Sequence, residues 1–367
     1  MTGDIPPAPI FDLASLINSE QMTPRSLGYS FPAEFDPHEA TWLSWPHKEA
    51  SWPGRIHSIF PSYVRFVKTL TRHEMVRINV VDEPMRQKAT RLLEEGGADM
   101  GRVEFFLHPT NDAWCRDHGP AFLLRDSNTD PKAVVDWNYN AWGGKYPPYD
   151  LDDVIPTLIA RHYELPVFYP GIVMEGGSVD FNGKGTVITS TCCLLNPNRN
   201  PHLDRSRIEE FLLDYYGQEQ VLWVEEGILG DDTDGHIDDT VRFVNEDTVV
   251  AVVEEDPNDE NHEPLRKNLS DLRRMRLADG RQLNIVELPM PDPVIWEDQR
   301  LPASYANFYI ANGCVVVPVF GSDKDDKVLA TLSGCFPDRE VVGIDSRDII
   351  WGLGSFHCLS QQEPAIR

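Results

Sequence analysis

Gly177-Ser178-Val179-Asp180-Phe181-Asn182-Gly183-Lys184-Gly185-Thr186-Val187-Ile188-Thr189 is a polar opening, a short apolar run, an Asn-Gly turn and a second β-branched run. Asn and Gly accept the positive φ of a tight turn, so the stretch predicts two antiparallel strands. The same order returns twice. Thr240-Val241-Arg242-Phe243-Val244 turns at Asn245-Glu246-Asp247 into Thr248–Val253, and Ala306-Asn307-Phe308-Tyr309-Ile310 turns at Ala311-Asn312-Gly313 into Cys314–Val319. Helical spacing fills the gaps: 64–93 with an interruption near Pro84, 205–216, 265–277, and 324–336 before Pro337-Asp338.

The polar openings recur roughly every 60 residues, at Asp117, Glu175, His236, Ser304 to Asn307 and Cys358, with a first unit around Glu39 to Trp52. Such self-similarity predicts radial repetition of one supersecondary unit. The expected class is α/β, a pseudo-fivefold α/β propeller of ββαβ-type units whose strand starts converge on a central site. Residues 1–28, rich in Pro and polar residues, are expected to form a loosely ordered arm with one short helix; residues 29–367 are expected to form one domain.

The 367-residue chain carries a formal net charge of −26, from 33 Lys and Arg against 59 Asp and Glu. Nucleic acid and anionic lipid require clustered basic residues, so neither is expected as a partner. A cationic small ligand fits better, because a negative field steers its approach. No apolar run approaches the roughly 18 residues of a membrane helix. Met1-Thr2-Gly3-Asp4-Ile5-Pro6-Pro7 lacks the basic leader and apolar segment of an export signal. The six cysteines (115, 192, 193, 314, 335, 358) have no framework spacing. A reduced, cytoplasmic protein is expected, with a homodimer as the default assembly.

Two carboxylate motifs stand immediately before strands: Asn111-Asp112-Ala113-Trp114-Cys115-Arg116-Asp117-His118-Gly119-Pro120 and Gly230-Asp231-Asp232-Thr233-Asp234-Gly235-His236-Ile237-Asp238-Asp239. On an extended backbone His236 and Asp238, two apart, would share a face. Glu175 lies in Met174-Glu175-Gly176-Gly177, where glycines permit close backbone approach. Cys358 follows the glycine-relaxed Gly352-Leu353-Gly354-Ser355-Phe356-His357. A lone Asp or Glu is usually a surface charge or a cap, and a lone Cys is usually core filler. Three carboxylates, a histidine and a cysteine opening successive repeats make that reading poor. Carboxylates can take the paired N–H donors of a planar guanidinium, leaving its central carbon open to a thiolate. A histidine can then give and take the protons. His-x-x-x-His, Cys-x-x-Cys and His-x-His are all absent, so no metal or organic cofactor is expected.

These motifs resemble those of the guanidino-group-modifying enzymes, specifically the agmatine deiminase and bacterial-type peptidylarginine deiminase family. The resemblance runs from about Phe31 to Pro364. It rests on Trp-x-Arg-Asp-x-Gly-Pro at 114–120, Glu-Gly-Gly at 175–177, Cys-Leu-Leu-Asn-Pro-Asn-Arg-Asn-Pro at 193–201, Asp-Gly-His-x-Asp at 234–238 and His-Cys-x-x-Gln-Gln at 357–362. It implies the propeller fold, Cys358 as nucleophile, His236 as general acid and base, and Asp117 and Asp238 as the guanidinium clamp. It also implies Glu175 as support for His236, and Trp114 and Gly354 at the substrate; His357 is expected to point away and serve the structure. The implied reaction is hydrolysis of agmatine to N-carbamoylputrescine and ammonia through a cysteine thiouronium, as in putrescine biosynthesis. The chain departs from the family pattern at Leu353 and Ser355, where glycine and asparagine are usual, at Asp239, where asparagine is common, and at Asp180, where histidine is common. Peptidyl- or free-arginine deimination, amidinotransfer, a metal-dependent hydrolase and a non-catalytic guanidinium-binding module stay open as alternatives.

Overall fold

In the computed structural model, which describes residues 22–366, five sheets repeat one strand order. Residues 1–21, most of the expected arm and its short helix, lie outside the described residues; the remainder of the arm holds one turn at Arg25–Leu27. In chain order the strands are β1 (His38–Ser44), β2 (Met75–Asn79), β3 (Val103–Phe106), β4 (Ala121–Leu124), β5 (Lys132–Val135) and β6 (Val167–Phe168). They continue with β7 (Val179–Phe181), β8 (Thr186–Ser190), β9 (Gln220–Val224), β10 (Val241–Phe243), β11 (Thr248–Val253) and β12 (Asn284–Pro289). A separate hairpin, β13 (Ile295–Trp296) and β14 (Gln299–Arg300), precedes β15 (Tyr309–Ile310), β16 (Cys314–Val319), β17 (Glu340–Asp345) and β18 (Ser360–Pro364).

Within each of the units β4–β6, β7–β9, β10–β12 and β15–β17, the first two strands are antiparallel and the last two parallel. A parallel pair needs a crossover, and a helix supplies it each time: Ile155–His162, Arg205–Tyr215, His262–Leu272 and Asp325–Cys335. The three hairpins expected from their turns are present. The remaining sheet is assembled from both ends of the described chain: β1 pairs parallel with β2 and antiparallel with β18, with Trp42 opposite Gln361. The stretch around Glu39 and the one around Cys358 therefore belong to one unit, which is how six polar openings fit five sheets.

The expected helix over 64–93 is two helices, Phe60–Leu70 and Glu83–Gly96, with β2 between them. Val76 and Ile78 alternate on a strand buried from Val76 to Asn79, while Thr71 to Glu74 make the turn that breaks the helical period. Pro84 does not interrupt a helix; it sits in the first turn of one, which Asp82 caps by accepting from the Met85 N–H at 2.8 Å.

The apolar core runs between neighbouring units rather than inside them. Trp42 packs with Phe122 and Val134; Leu123 and Val135 with Val179 and Val187; Ile188 with Val241 and Val249. Val250 and Leu288 pack with Val315 and Val317, and Val316 returns to Val76 and Phe66 of the first unit. On the side of the site away from the cleft, buried Glu34 ties several units together. Its carboxylate accepts from Arg116 Nη2 (2.8 Å), Arg242 Nη2 (2.9 Å) and the Ile310 N–H (2.8 Å), and lies 2.8 Å from His357 Nε2. Burial pushes this carboxyl up, but Arg242, His357 and Arg116 together hold it well below the usual carboxylate range. Its stabilisation is thus present above the unfolded carboxylate pKa and is lost as pH falls through the depressed folded value. Glu34→Ala should remove about 3–5 kcal/mol of unfolding free energy in urea titrations at neutral pH, because it strands two buried guanidinium groups. A loss below about 1 kcal/mol would refute that role.

Candidate active site

Cys358 lies in a turn directly ahead of β18, not on a strand. Its N–H donates to Asn307 Oδ1 (3.3 Å) and its carbonyl accepts from the Arg116 N–H (3.1 Å), fixing the loop to two other units. Gly354 must be glycine here: a Cβ would stand 2.7 Å from the Trp114 ring and 3.2 Å from Cys358 Sγ. Sγ lies 3.6 Å from Asp238 Oδ2.

Asp117 occupies the short helical turn Cys115–His118. One oxygen accepts from the Gly177 N–H (3.0 Å), the other from Trp142 Nε1 (3.0 Å). Trp142 reaches it from the left-handed region (φ 56°, ψ 48°), a conformation that costs a bulky residue of order 1 kcal/mol and recurs at functional positions. His236 and Asp238 are not on an extended strand as expected; Ile237–Asp239 is a 3₁₀ turn. The turn still gathers them, with His236 Nδ1 at 4.0 Å from Asp238 Oδ1 and 3.7 Å from Asp117 Oδ1. Gly177 makes this possible, since a Cβ there would come within 2.5 Å of the imidazole and 2.8 Å of Asp117. Its freedom serves the side chains around it rather than a direct approach of backbone to ligand.

Glu175 is buried, with Oε1 accepting from Arg199 Nε (2.7 Å). Its other oxygen, both ring nitrogens of His236 and Oδ1 of Asp238 have no hydrogen-bond partner although buried. Buried polar atoms are rarely left so; the two carboxylate oxygens match a ligand with N–H donors, and the imidazole nitrogens are free to exchange protons. Glu175, His236 and Cys193 place one ligand atom each within 4.8 Å of one another, the one potential metal triad among the described residues. Its cysteine is a poor ligand as it stands, because burial pushes the Cys193 thiol well up.

A cleft of about 200 Å³ reaches Asp117 and Cys358, while Glu175, His236 and Asp238 are not part of its lining. Cys358 and Asp117 line its buried end; Trp114, Trp142, Trp296, Trp351 and Leu353 form walls; Asp232, Tyr146 and Gln299 stand toward solvent. Trp114 is at once wall and core, tilted against Trp52 with centroids 5.2 Å apart. The Asp232 side chain is 38% exposed, accepts from the Tyr146 hydroxyl and lies 3.4 Å from Lys145 Nζ. A cleft with anionic ends and aromatic walls suits a chain that is cationic at both ends and apolar between.

A family profile described as Porphyromonas-type peptidyl-arginine deiminase matches residues 30–364. The chain belongs to that family. An agmatine deiminase of Pseudomonas syringae pv. tomato is 34% identical over 366 residues, covering 94% of this chain and 97% of that one. The structure of an agmatine deiminase of Enterococcus faecalis superposes with a TM-score of 0.88 at 31% identity, covering 94% of this chain and 98% of the other. A C. jejuni agmatine deiminase, in a cysteine-to-serine variant with substrate bound, gives 0.82 at 32% identity, covering 91% and 96%.

Among the departures from the family pattern, only Leu353 lines the cleft. Ser355 is buried and paired with Ser346 Oγ at 2.7 Å. Asp180 faces Arg242 (3.5 Å) and the Phe243 N–H (2.5 Å), behind the site. Asp239 accepts from Asn307 Nδ2 at 2.9 Å. His357 does turn away from the cleft, yet it grips the site from behind, its Nδ1 2.6 Å from Asp238 Oδ2 and its Nε2 against Glu34. Trp142, Asn307, Glu34 and Asp232 received no role from the sequence. The left-handed Trp142 was foreshadowed only by Gly143-Gly144 after it, and Asn307 only by membership of a polar opening.

Burial pushes Asp117 up to about 6; His236 opposes the rise and Asp238 and Glu175 add to it. Burial also raises Asp238, but the His357 hydrogen bond and charge and His236 bring it below the usual range. For His236 burial acts downward, and Asp117, Asp238, Glu175 and Asp231 outweigh it, so the imidazole is raised. Burial and then Asp238, Asp239 and Asp117 push the Cys358 thiol well up. These fields favour a neutral thiol and a protonated imidazole, both facing Asp117 and Asp238, and an incoming cation shifts carboxylates and thiol toward their ionised forms. The thiolate absorbance difference between the native protein and Cys358→Ser should rise only above the ordinary cysteine range. A midpoint at or below that of a free cysteine would contradict this electrostatic account.

Proposed function

We propose that this chain is an agmatine deiminase, releasing ammonia and N-carbamoylputrescine from agmatine for putrescine formation. The observation that carries the reading is the pair of buried, unpartnered carboxylate oxygens on Glu175 and Asp238, with the Asp238 carboxylate 3.6 Å from the sulfur that ends a tryptophan-walled cleft with a carboxylate at its mouth. Asp117 and Asp238 would grip the guanidinium in paired hydrogen bonds, the aliphatic stem would lie between Trp114 and its neighbours, and the distal ammonium would meet Asp232. The same reading takes residues 29–367 as one domain. Five units, each packed on the next and the last on the first, support a pseudo-fivefold α/β propeller about the site.

The chemistry follows from the placement. Thiolate sulfur adds to the guanidinium carbon as the C=N π pair moves to nitrogen. Protonated His236 gives its proton to the departing nitrogen, the C–N bond breaks and ammonia leaves an S-alkylthiouronium. Water then gives a proton to His236 and its oxygen to the carbon; the C–S bond breaks, sulfur leaves with the electron pair, and the hydroxyl proton passes to solvent as the ureido carbonyl forms. Glu175, anchored by Arg199, would support the imidazole in both half-reactions.

Deimination of peptidyl arginine is the second reading. Beyond Tyr146, Asp232 and Gln299 the cleft continues into an open groove along Leu229, Ile295 and Asp298, which leaves room for a longer chain. Ammonia release from agmatine, free arginine and an arginine peptide separates the two. Agmatine should lead in kcat/KM by at least about tenfold, the size of one good charged contact. Cys358→Ala should abolish turnover by at least about 1,000-fold while still binding agmatine, whereas a normal rate would rule out nucleophilic catalysis. Asp232→Asn should raise KM for agmatine about tenfold with kcat within about threefold; an unchanged KM would remove Asp232 from the binding site.

A further inference from the structure

Asn307 stands two residues ahead of β15, in a loop shaped by Ser304, whose hydroxyl donates to the Asp239 carbonyl (2.7 Å) and accepts from the Ala306 N–H (3.1 Å). Its side chain is buried. Nδ2 lies 3.0 Å from Cys358 Sγ, 2.9 Å from Asp239 Oδ1 and 3.3 Å from Asp238 Oδ2, while Oδ1 accepts from the Cys358 N–H. These neighbours dictate which way the amide faces. A flipped side chain would press its carbonyl against two carboxylates and its NH₂ against an N–H. Asp239 takes one amide proton, which leaves the second for sulfur. We propose that Asn307 is a catalytic hydrogen-bond donor to the reacting sulfur, holding Cys358 as thiolate before attack and again when it departs from the thiouronium.

This inference rests on Cys358 being the nucleophile. Asp238, Asp239 and Asp117 all oppose negative charge on sulfur, and the donors in contact with it, the Asn307 amide and the backbone N–H of Ser355, are neutral. A lysine or arginine at 307 would favour the thiolate more strongly, but its charge would repel a guanidinium. A neutral amide stabilises the sulfur anion without that cost. Forming the C–S bond consumes the sulfur's charge and weakens the contact; breaking it restores both. Asp239, where the family commonly has asparagine, still offers the acceptor oxygen that orients the amide.

The test uses Asn307→Ala and the near-isosteric, uncharged Asn307→Leu, the second covering the case in which alanine does not fold. Thiolate absorbance against pH in the substrate-free protein is combined with kcat and KM for agmatine and acid-quench mass spectrometry of the covalent adduct. Loss of the donor should move the thiol titration up by about one unit and lower kcat about 10- to 100-fold, with KM within about threefold. A folded variant whose thiol titrates like the native protein, whatever its kcat, would overturn the assignment, as would a change confined to KM. Failure to trap any adduct in the native protein would instead sink the nucleophile reading itself, and so the two failures are distinguishable.

Discussion

The structure is organised by the cost of burying carboxylates. A buried anion needs a positive or hydrogen-bonding partner, and the chain supplies arginines selectively. Glu34 has Arg116 and Arg242, Glu175 has Arg199, and Asp180 has Arg242. Asp117 and Asp238 have only histidine within ion-pair reach, and Asp239 has the Asn307 amide. The carboxylates that bear on the thiol thus stay unsatisfied in charge, while those one layer behind are neutralised. A cation arriving through the cleft meets acceptors already oriented by Gly177, Trp142 and His357, so little reorganisation is left for the moment of binding.

Much of this could be read from the sequence because the decisive signals were local. Asn182-Gly183 and its counterparts dictate hairpins through backbone conformation alone, and the residues that open each unit sit next to those strands. The second layer was not legible for the opposite reason. Glu34 acts on residues 82, 208 and 323 positions away, and Asn307 on a cysteine 51 positions on. No period or turn marks such a partner. The misread helix over 64–93 is a milder case: apolar residues on both sides of Thr71 to Glu74 suit either a helix or a buried strand, and only pairing with β1 decides for β2.

Family membership and site geometry address different questions. Membership fixes which residues stand together; the walls of the cleft govern what enters. Leu353 and the β13–β14 hairpin contribute to those walls, the hairpin's Trp296 lying against Trp351 with centroids 4.3 Å apart. These are the surfaces on which preference among guanidinium compounds turns, since the acceptors deeper in make no distinction beyond the planar head group.

The pairing of β18 with β1 has a consequence for how the protein becomes competent. Trp42 Nε1 donates to Glu363 across 321 positions, and Arg77 and Lys132 grip the same carboxylate. Contacts of such separation carry the largest loop-closure entropy and slow folding. The sulfur sits in the turn that leads into the strand closing this junction, so its position beside the acidic clamp depends on that strand being paired. Placement of the nucleophile and closure of the sheet that joins the two ends of the described chain are therefore one and the same structural condition.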